Sequence, residues 1–350
     1  MKIIEARLFE YSLPLRAPLP VGQYRLKTRE GLLAALRNEM GEVGWGDIAP
    51  LPGFSREDIS QAVRASADLL AGIMSTDASG LAGLARQSPP SVAFGIESAL
   101  ISLNALRPWP GEARAEIVPV NGLLSGSLQE VESQTSRLMD EGYRALKLKV
   151  GRDSIEEDLK KVAAVRSLAD RSVKLRLDAN QAWEFDDAVE FGRSVREYEI
   201  EHIEEPLRDN TRLEEFHRGS GVSYALDESL RKIEPANVSA LEGLTALVIK
   251  PTLLGGMTRS LRFVQRAGEL SIVPVISSSF ESSVGLLALA GMAAAVAPDI
   301  ACGLGVASWF AEDLLRFPIA ITRGNMRAVQ SRLHDGHIRM DLLREVAFRL

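Results

Sequence analysis

The sequence has one cysteine, Cys302, and four histidines in 350 residues. A single cysteine excludes an intramolecular disulfide and fits a reducing cytoplasm. No histidine neighbours Cys302, which reads as a small buried residue rather than a nucleophile. Without a His/Cys cluster, zinc is a poor fit. His202 reads as a packing residue, and His217, His334 and His337 as solvated. Long hydrophobic runs are also missing. The longest uncharged stretch, Ser282 to Pro298, is 17 residues with two glycines, short for a membrane span and suited to a buried helix. Charges interrupt the apolar residues of the first segment, Met1 to Arg7, so no secretory leader is expected. The net charge of −6 disfavours a general nucleic-acid or anionic-membrane partner. Low-complexity tracts and evident repeats are absent. What remains is an ordinary globular composition, 46% hydrophobic and 25% charged, at a length that suits one large or two modest domains.

Residues 114–318 alternate short apolar runs with amphipathic segments. Strands are expected at 117–121, 144–150, 173–178, 201–204, 223–227, 245–250, 272–277 and, weakly, 299–302. Helical spacing marks 128–141, 155–169, 184–199, 257–269 and 283–297. Eight such units predict a parallel (β/α) barrel, and nearly continuous apolar strands suit burial on both faces. Residues 1–113 read as a separate α+β module, with strands at 2–12 and 31–40, a third after the turn at Gly41–Gly44, and helices at 56–73 and 92–107. The tail, 319–350, breaks the βα rhythm and is expected to return to that module.

Six ionic residues stand at or near strand ends, where barrel loops converge on one mouth. Asp178, Glu204 and Asp227 end three successive strands, 26 and 23 residues apart. Adjacent strands lie roughly 5 Å apart, so three carboxylates can meet one cation. Oxygen ligands favour Mg²⁺ first and Mn²⁺ second. Lys147 and Lys149 alternate on one strand and share a face. A desolvated lysine among cations has a lowered pKa and can serve as a base. Lys250 comes from the sixth strand, roughly across the mouth. A carbon acid beside a carboxylate is very weak, so its deprotonation needs both a base and a cation, and this set supplies them. Arg176 shares the face of Asp178 and is expected to hold Lys149 or to lower its pKa by repulsion. Asn180 is a partner for a ligand or a further metal contact. Glu205 and Glu228 are read as pointing away from the ligand face, in supporting roles. Ser277, Ser278 and Ser279, with the N–H groups that follow, can hold an anion or merely cap a helix. Gly303-Leu304-Gly305 can let backbone approach a ligand.

At these residues the chain resembles the enolase superfamily, in its muconate-lactonizing-enzyme branch. The Lys-x-Lys pair, the Asp/Glu/Asp set and the facing lysine match in order and spacing. The resemblance spans essentially the whole chain and implies a modified (β/α)7β TIM-type barrel with an α+β capping domain. Three segments resemble the o-succinylbenzoate synthase family: Gly44 to Ser55, Ile249 to Thr252 with Gly255-Gly256, and Val275 to Gly285. That family dehydrates 2-succinyl-6-hydroxy-2,4-cyclohexadiene-1-carboxylate to o-succinylbenzoate, a step toward menaquinone. The resemblance implies Lys149 as the base, Mg²⁺ on Asp178, Glu204 and Asp227 against the enediolate, and Lys250 as a cation over the opposite face. It places Arg25, Lys27 and Arg29 in a mobile capping loop, where one would meet the succinyl carboxylate.

The runner-up is a racemase or epimerase of N-acylamino acids or dipeptides in the same superfamily. Both lysines suit that reading equally. Dipeptide epimerases carry Asp-x-Asp after the eighth strand, where this chain has Cys302-Gly303-Leu304, which argues against them. N-succinylamino acid racemisation as a side activity stays open, as does a homo-oligomer. A non-catalytic binding module is disfavoured by the presence of every charged site residue. The expected partner is a small carboxylate substrate.

Overall fold

The computed structural model describes residues 1–72, 77–107, 115–317, 319–328 and 333–347. The boundary expected at 113/114 falls on residues outside that set, and that at 318/319 has residue 318 outside it. The N-terminal region forms β1 (Ile3–Val21), β2 (Tyr24–Asn38), β3 (Val43–Ile48), α1 (Ile59–Ala71), α2 (Ala78–Ala85) and α3 (Pro90–Ser102). The middle of the chain runs through β4 (Ile117–Pro119), β5 (Gly122–Leu124), α4 (Leu128–Asp140), β6 (Ala145–Lys149), α5 (Ile155–Leu168), β7 (Lys174–Asp178), α6 (Phe185–Val195), β8 (Ile200–Glu204), α7 (Leu213–Ser220) and β9 (Tyr224–Leu226). It continues with β10 (Leu244–Ile249), α8 (Pro251–Leu254), α9 (Gly256–Glu269), β11 (Val273–Ile276) and α10 (Ser283–Val296). Three short strands finish the described chain: β12 (Ile321–Thr322), β13 (Asn325–Arg327) and β14 (Arg344–Glu345).

Strands β5 to β11 form one parallel sheet in sequence order. The eighth position is a run of single bridges rather than a ladder. Ser277 bridges Gly303 and Val120 bridges Cys302, with Gly303 N donating to Ile276 O and Cys302 N to Pro119 O. Glycines on one side and Pro298 on the other leave too short a run for a regular strand. The fold is therefore a modified TIM-type barrel under an α+β cap. The run expected as the first barrel strand, 117–121, divides. Its first half pairs antiparallel with β13 in a three-stranded sheet. The barrel strand proper is β5, one step later, because Val120 N is taken by Gly324 O and Asn121 N by Cys302 O.

Strands β14, β1, β2 and β3 form the antiparallel cap sheet. The β1–β2 hairpin is much longer than its apolar spacing suggests. Pro14, Pro18 and Pro20 obscure the alternation, and the pairing absorbs them at a register shift between Pro14 and Leu19. Its tip places Leu19 and Val21 against Leu51, Phe54, Phe280 and Trp309, so the cap reaches the barrel loops. Helix α3 packs on β3 so closely that a Cβ on Gly46 would fall 1.8 Å from Gly95 O. Helix starts follow capping chemistry: Asp58 with Gln61 and Ser127 with Glu130 make reciprocal caps. Among the described residues, no helix is long and apolar enough to cross a membrane.

Candidate active site

Each parallel strand is buried on both faces, so a charge on the inward face survives only at the C-terminal rim or with a partner. Register fixes who meets whom: Lys147 lies beside Arg176 and Lys149 beside Asp178, and Asp178 lies beside Glu204. Lys147 Nζ sits between Asp178 Oδ2, at 3.0 Å, and Glu204 Oε2, at 2.9 Å. Lys149 Nζ donates to Asp178 Oδ2 at 2.6 Å and to Asn180 Oδ1 at 2.8 Å. Lys250, just past β10, pairs with Asp227, just past β9. All six expected ionic residues thus converge on one mouth.

Their environments pull the lysines apart. Burial alone would lower Lys147, but Asp178, Glu204 and Asp227 around it raise it well above the ordinary lysine value. Lys149 goes the other way: burial lowers it, Lys147 and Lys250 add repulsion, and Asp178 only partly compensates. Burial would raise Asp178, but the three lysines hold it far below the usual carboxylate range. Lys149 is therefore the lysine most ready to lose a proton, and Lys147 the one that stays charged.

As the side chains stand, no three Asp, Glu, His or Cys groups among the described residues are gathered closely enough to hold one ion. Ammonium groups fill the space between the carboxylates. The donor chemistry nevertheless fits a hard divalent cation: Asp178, Glu204 and Asp227 offer oxygens only and are 1%, 1% and 4% exposed. Carboxylates that deep require positive charge close by.

Several residues sit differently from expectation. Arg176 does not touch Lys149. It turns down the barrel, donating to Glu201 Oε2 at 2.6 Å and Ala301 O at 2.7 Å, because that half-buried carboxylate lies nearer than the rim. Arg29 is no free anion reader. It is 1% exposed, and its guanidinium is spent on the carbonyls of Glu30, Ala49, Pro50, Ser279 and Phe280. Arg25 and Lys27 stay exposed on the hairpin. The serine loop is held from inside: Ser278 Oγ and Ser279 N both donate to Glu281 Oε2 at 2.7 Å. Ser277 Oγ lies 3.4 Å from Gly303 O, and Leu304 is in the barrel core. Glu205 does turn away, accepting from Asp227 N, Ser229 N and Ser229 Oγ. Glu228 does not. Its Oε1 accepts from Asn180 Nδ2 at 2.9 Å, and burial followed by repulsion from Asp227 pushes it up to about 8. Its place at the mouth follows from the turn after β9, which strand alternation could not foresee. His202 lies buried beneath Glu204, its Nε2 3.9 Å from Glu204 Oε1.

The model for the family described as "Enolase C-terminal domain-like" matches residues 130–332, more than half of the chain. That for "MenC, N-terminal domain" matches residues 3–103. The o-succinylbenzoate synthase of Pectobacterium atrosepticum is 36% identical over 304 residues, 86% of this chain and 89% of that one. That of Proteus mirabilis is 36% identical over 323 residues, 89% and 93% of the two chains. The chain belongs to the o-succinylbenzoate synthase family of the enolase superfamily. Membership implies an enzyme that acts on a small molecule with a divalent metal ion. Among solved structures, dipeptide epimerase from Cytophaga hutchinsonii superposes with a TM-score of 0.85 at 20% identity, covering 99% of both chains. The L-Ala-D/L-Glu epimerase from Bacillus subtilis does so at 0.82 and 20%, over 93% of this chain and 96% of that one. At that identity the likeness concerns the fold. Where the epimerase pattern calls for two aspartates, this family member has Cys302, whose thiol donates to Pro119 O, and core Leu304.

Proposed function

We propose that the protein is a carbon–oxygen lyase that dehydrates 2-succinyl-6-hydroxy-2,4-cyclohexadiene-1-carboxylate to o-succinylbenzoate, in menaquinone biosynthesis. The observation that carries this reading is the match to o-succinylbenzoate synthases over 86% of this chain and 89% of the relative. In this reading Lys149 Nζ leaves Asp178 and takes the proton from the carbon that bears the ring carboxylate. Its lowered pKa suits a base working near neutrality. Asn180 Oδ1 keeps the ammonium aimed while it holds the proton. Lys149 then returns that proton to the departing hydroxyl, so the C–O bond breaks, water leaves and the ring becomes aromatic. Aromatisation makes this second step strongly downhill, which leaves the first as the hard one. Lys250 faces the anion from the other side of the mouth, and Lys147 offsets the charge of Asp178 and Glu204. Asp178, Glu204 and Asp227 would hold the divalent cation, Mg²⁺ first and Mn²⁺ second, which when bound supplies positive charge beside the substrate carboxylate.

Two lysines from opposite sides also suit proton exchange at a single carbon, so N-succinylamino acid racemisation is the second reading. The test is an ultraviolet assay of purified protein with the cyclohexadiene substrate, run beside a racemisation assay. The expected result is a larger kcat/KM for dehydration. No formation of the aromatic product, or a larger kcat/KM for racemisation, sinks the primary reading.

A further inference from the structure

Glu281 is fully buried, and it joins two loops beyond the end of the barrel ladder. Strands β10 and β11 pair as far as Ile249 with Ile276, and Ser277 N donates to Ile249 O at 2.9 Å. Past that point the link is Glu281. Its Oε1 accepts from Thr252 Oγ1, and its Oε2 from Ser278 Oγ and Ser279 N. Thr252 is itself fully buried, two residues beyond Lys250. The turn it belongs to starts at Lys250, whose carbonyl accepts from Leu253 N and Leu254 N at 2.9 and 3.0 Å. Holding Thr252 therefore holds the backbone from which Lys250 projects.

A buried carboxylate whose partners are hydroxyls and one amide carries a desolvation cost that a neutral side chain avoids. The carboxylate accepts from all three donors of the two segments, and a glutamine would keep the contact to Thr252 only with its direction reversed, N–H₂ donating to the hydroxyl oxygen. The neighbouring residues anchor the same loop elsewhere. Ser282 N and Oγ donate to Asp47 Oδ2 on β3, both at 2.8 Å. Ser283 N and Oγ donate to Asp313 Oδ1, and Arg29 holds the carbonyl of Phe280.

We propose that Glu281 is a positioning residue for Lys250: through Thr252 it fixes the turn that carries the lysine, and through Ser278 and Ser279 it ties that turn to the loop seated on the cap. The proposal takes the role of Lys250 from the dehydration reading, but the placement itself does not depend on the substrate. Thr252→Val removes the hydroxyl at nearly constant shape, and Thr252→Ser restores it. The readouts are kcat and KM for dehydration, and the NMR signal of Lys250 in [ε-13C]lysine-labelled protein, assigned with Lys250→Arg. Thr252→Val is expected to lower kcat about tenfold, the scale of one neutral hydrogen bond, with KM within about twofold and the Lys250 signal displaced. Thr252→Ser should bring both readouts back. Should Thr252→Val not fold, Thr252→Ala, which also removes the hydroxyl, decides on the same two readouts. An unmoved Lys250 signal, or a loss that Thr252→Ser does not repair, overturns the proposal. A wild-type protein without dehydratase activity overturns the functional reading instead, and the NMR arm then decides the positioning alone.

Discussion

Lys147 and Lys149 are two residues apart on one strand, point into the same barrel and yet have opposite protonation tendencies. The difference lies in their partners: two carboxylates clasp Lys147, whereas Lys149 has one carboxylate and a neutral amide. Lys149→Ala is expected to lower dehydration at least about 10³-fold, with circular dichroism and divalent-metal binding unchanged. Ample residual turnover would remove Lys149 as the base. Asp47 gives a second prediction. Burial raises its carboxyl from 3.8 to about 6, against hydrogen bonds from Tyr11 and Ser282 that lower it. The folded chain thus binds this proton more tightly than the unfolded one. Asp47 then erodes stability as pH rises from about 4 to 6, by on the order of 3 kcal/mol, and the loss persists above. Urea unfolding across that window should give an Asp47→Asn variant a less negative slope of stability against pH than wild type. Identical slopes would exclude Asp47 as the source. At this scale the site ions were legible because each one interrupts an apolar run. Arg29 and Arg176 were legible only as basic residues. Which carbonyl or carboxylate each would reach depends on Glu201, Ala301 and Phe280, far away in the chain.

Among elements, strands with strong apolar runs and helices with capping signals stand close to where spacing puts them. Those that depend on distant pairing do not. Helix α7 escaped a reading by period because it buries only Leu213, Phe216 and Ser220. The eighth barrel position exists as bridges because its partners, β11 and the segment before β5, hold it through individual backbone bonds. The approach of β3 to α3 is a further case. Gly46 and Gly95 have ordinary backbone angles and were not marked by any turn, yet each lies where a side chain would collide with the facing element. Gly95→Ala would set a Cβ 2.2 Å from Ile48 Cγ1. Overpacking of this kind costs about 1–3 kcal/mol and sometimes more, so a lowered melting temperature is expected. An unchanged melting temperature would mean that the two elements separate without cost.

For the molecule as a whole, the cap and barrel meet in buried polar groups as well as apolar ones. Tyr11 and Ser282 share Asp47 across the junction, and Arg231 donates to Phe54 O. The carboxylate rim adds a dependence on metal. A chelator should abolish dehydration, with Mg²⁺ or Mn²⁺ restoring it, and full activity in metal-free protein would contradict the ligand assignment. Binding confined to the folded state should also raise stability, by about 2.7 kcal/mol at a hundred times Kd. Equal melting temperatures with and without saturating Mg²⁺ would count against a site of useful affinity.

The sequence alone determined the (β/α) rhythm and the ionic residues of the mouth, because burial on two faces forces apolar strands and leaves charge only where a rim or partner tolerates it. The tertiary structure alone decided that Arg29 and Glu281 work inside the scaffold, that Glu228 joins the mouth, and that the barrel closes on bridges. Those outcomes rest on hydrogen bonds between segments tens to hundreds of residues apart, and spacing along a chain carries no record of such meetings.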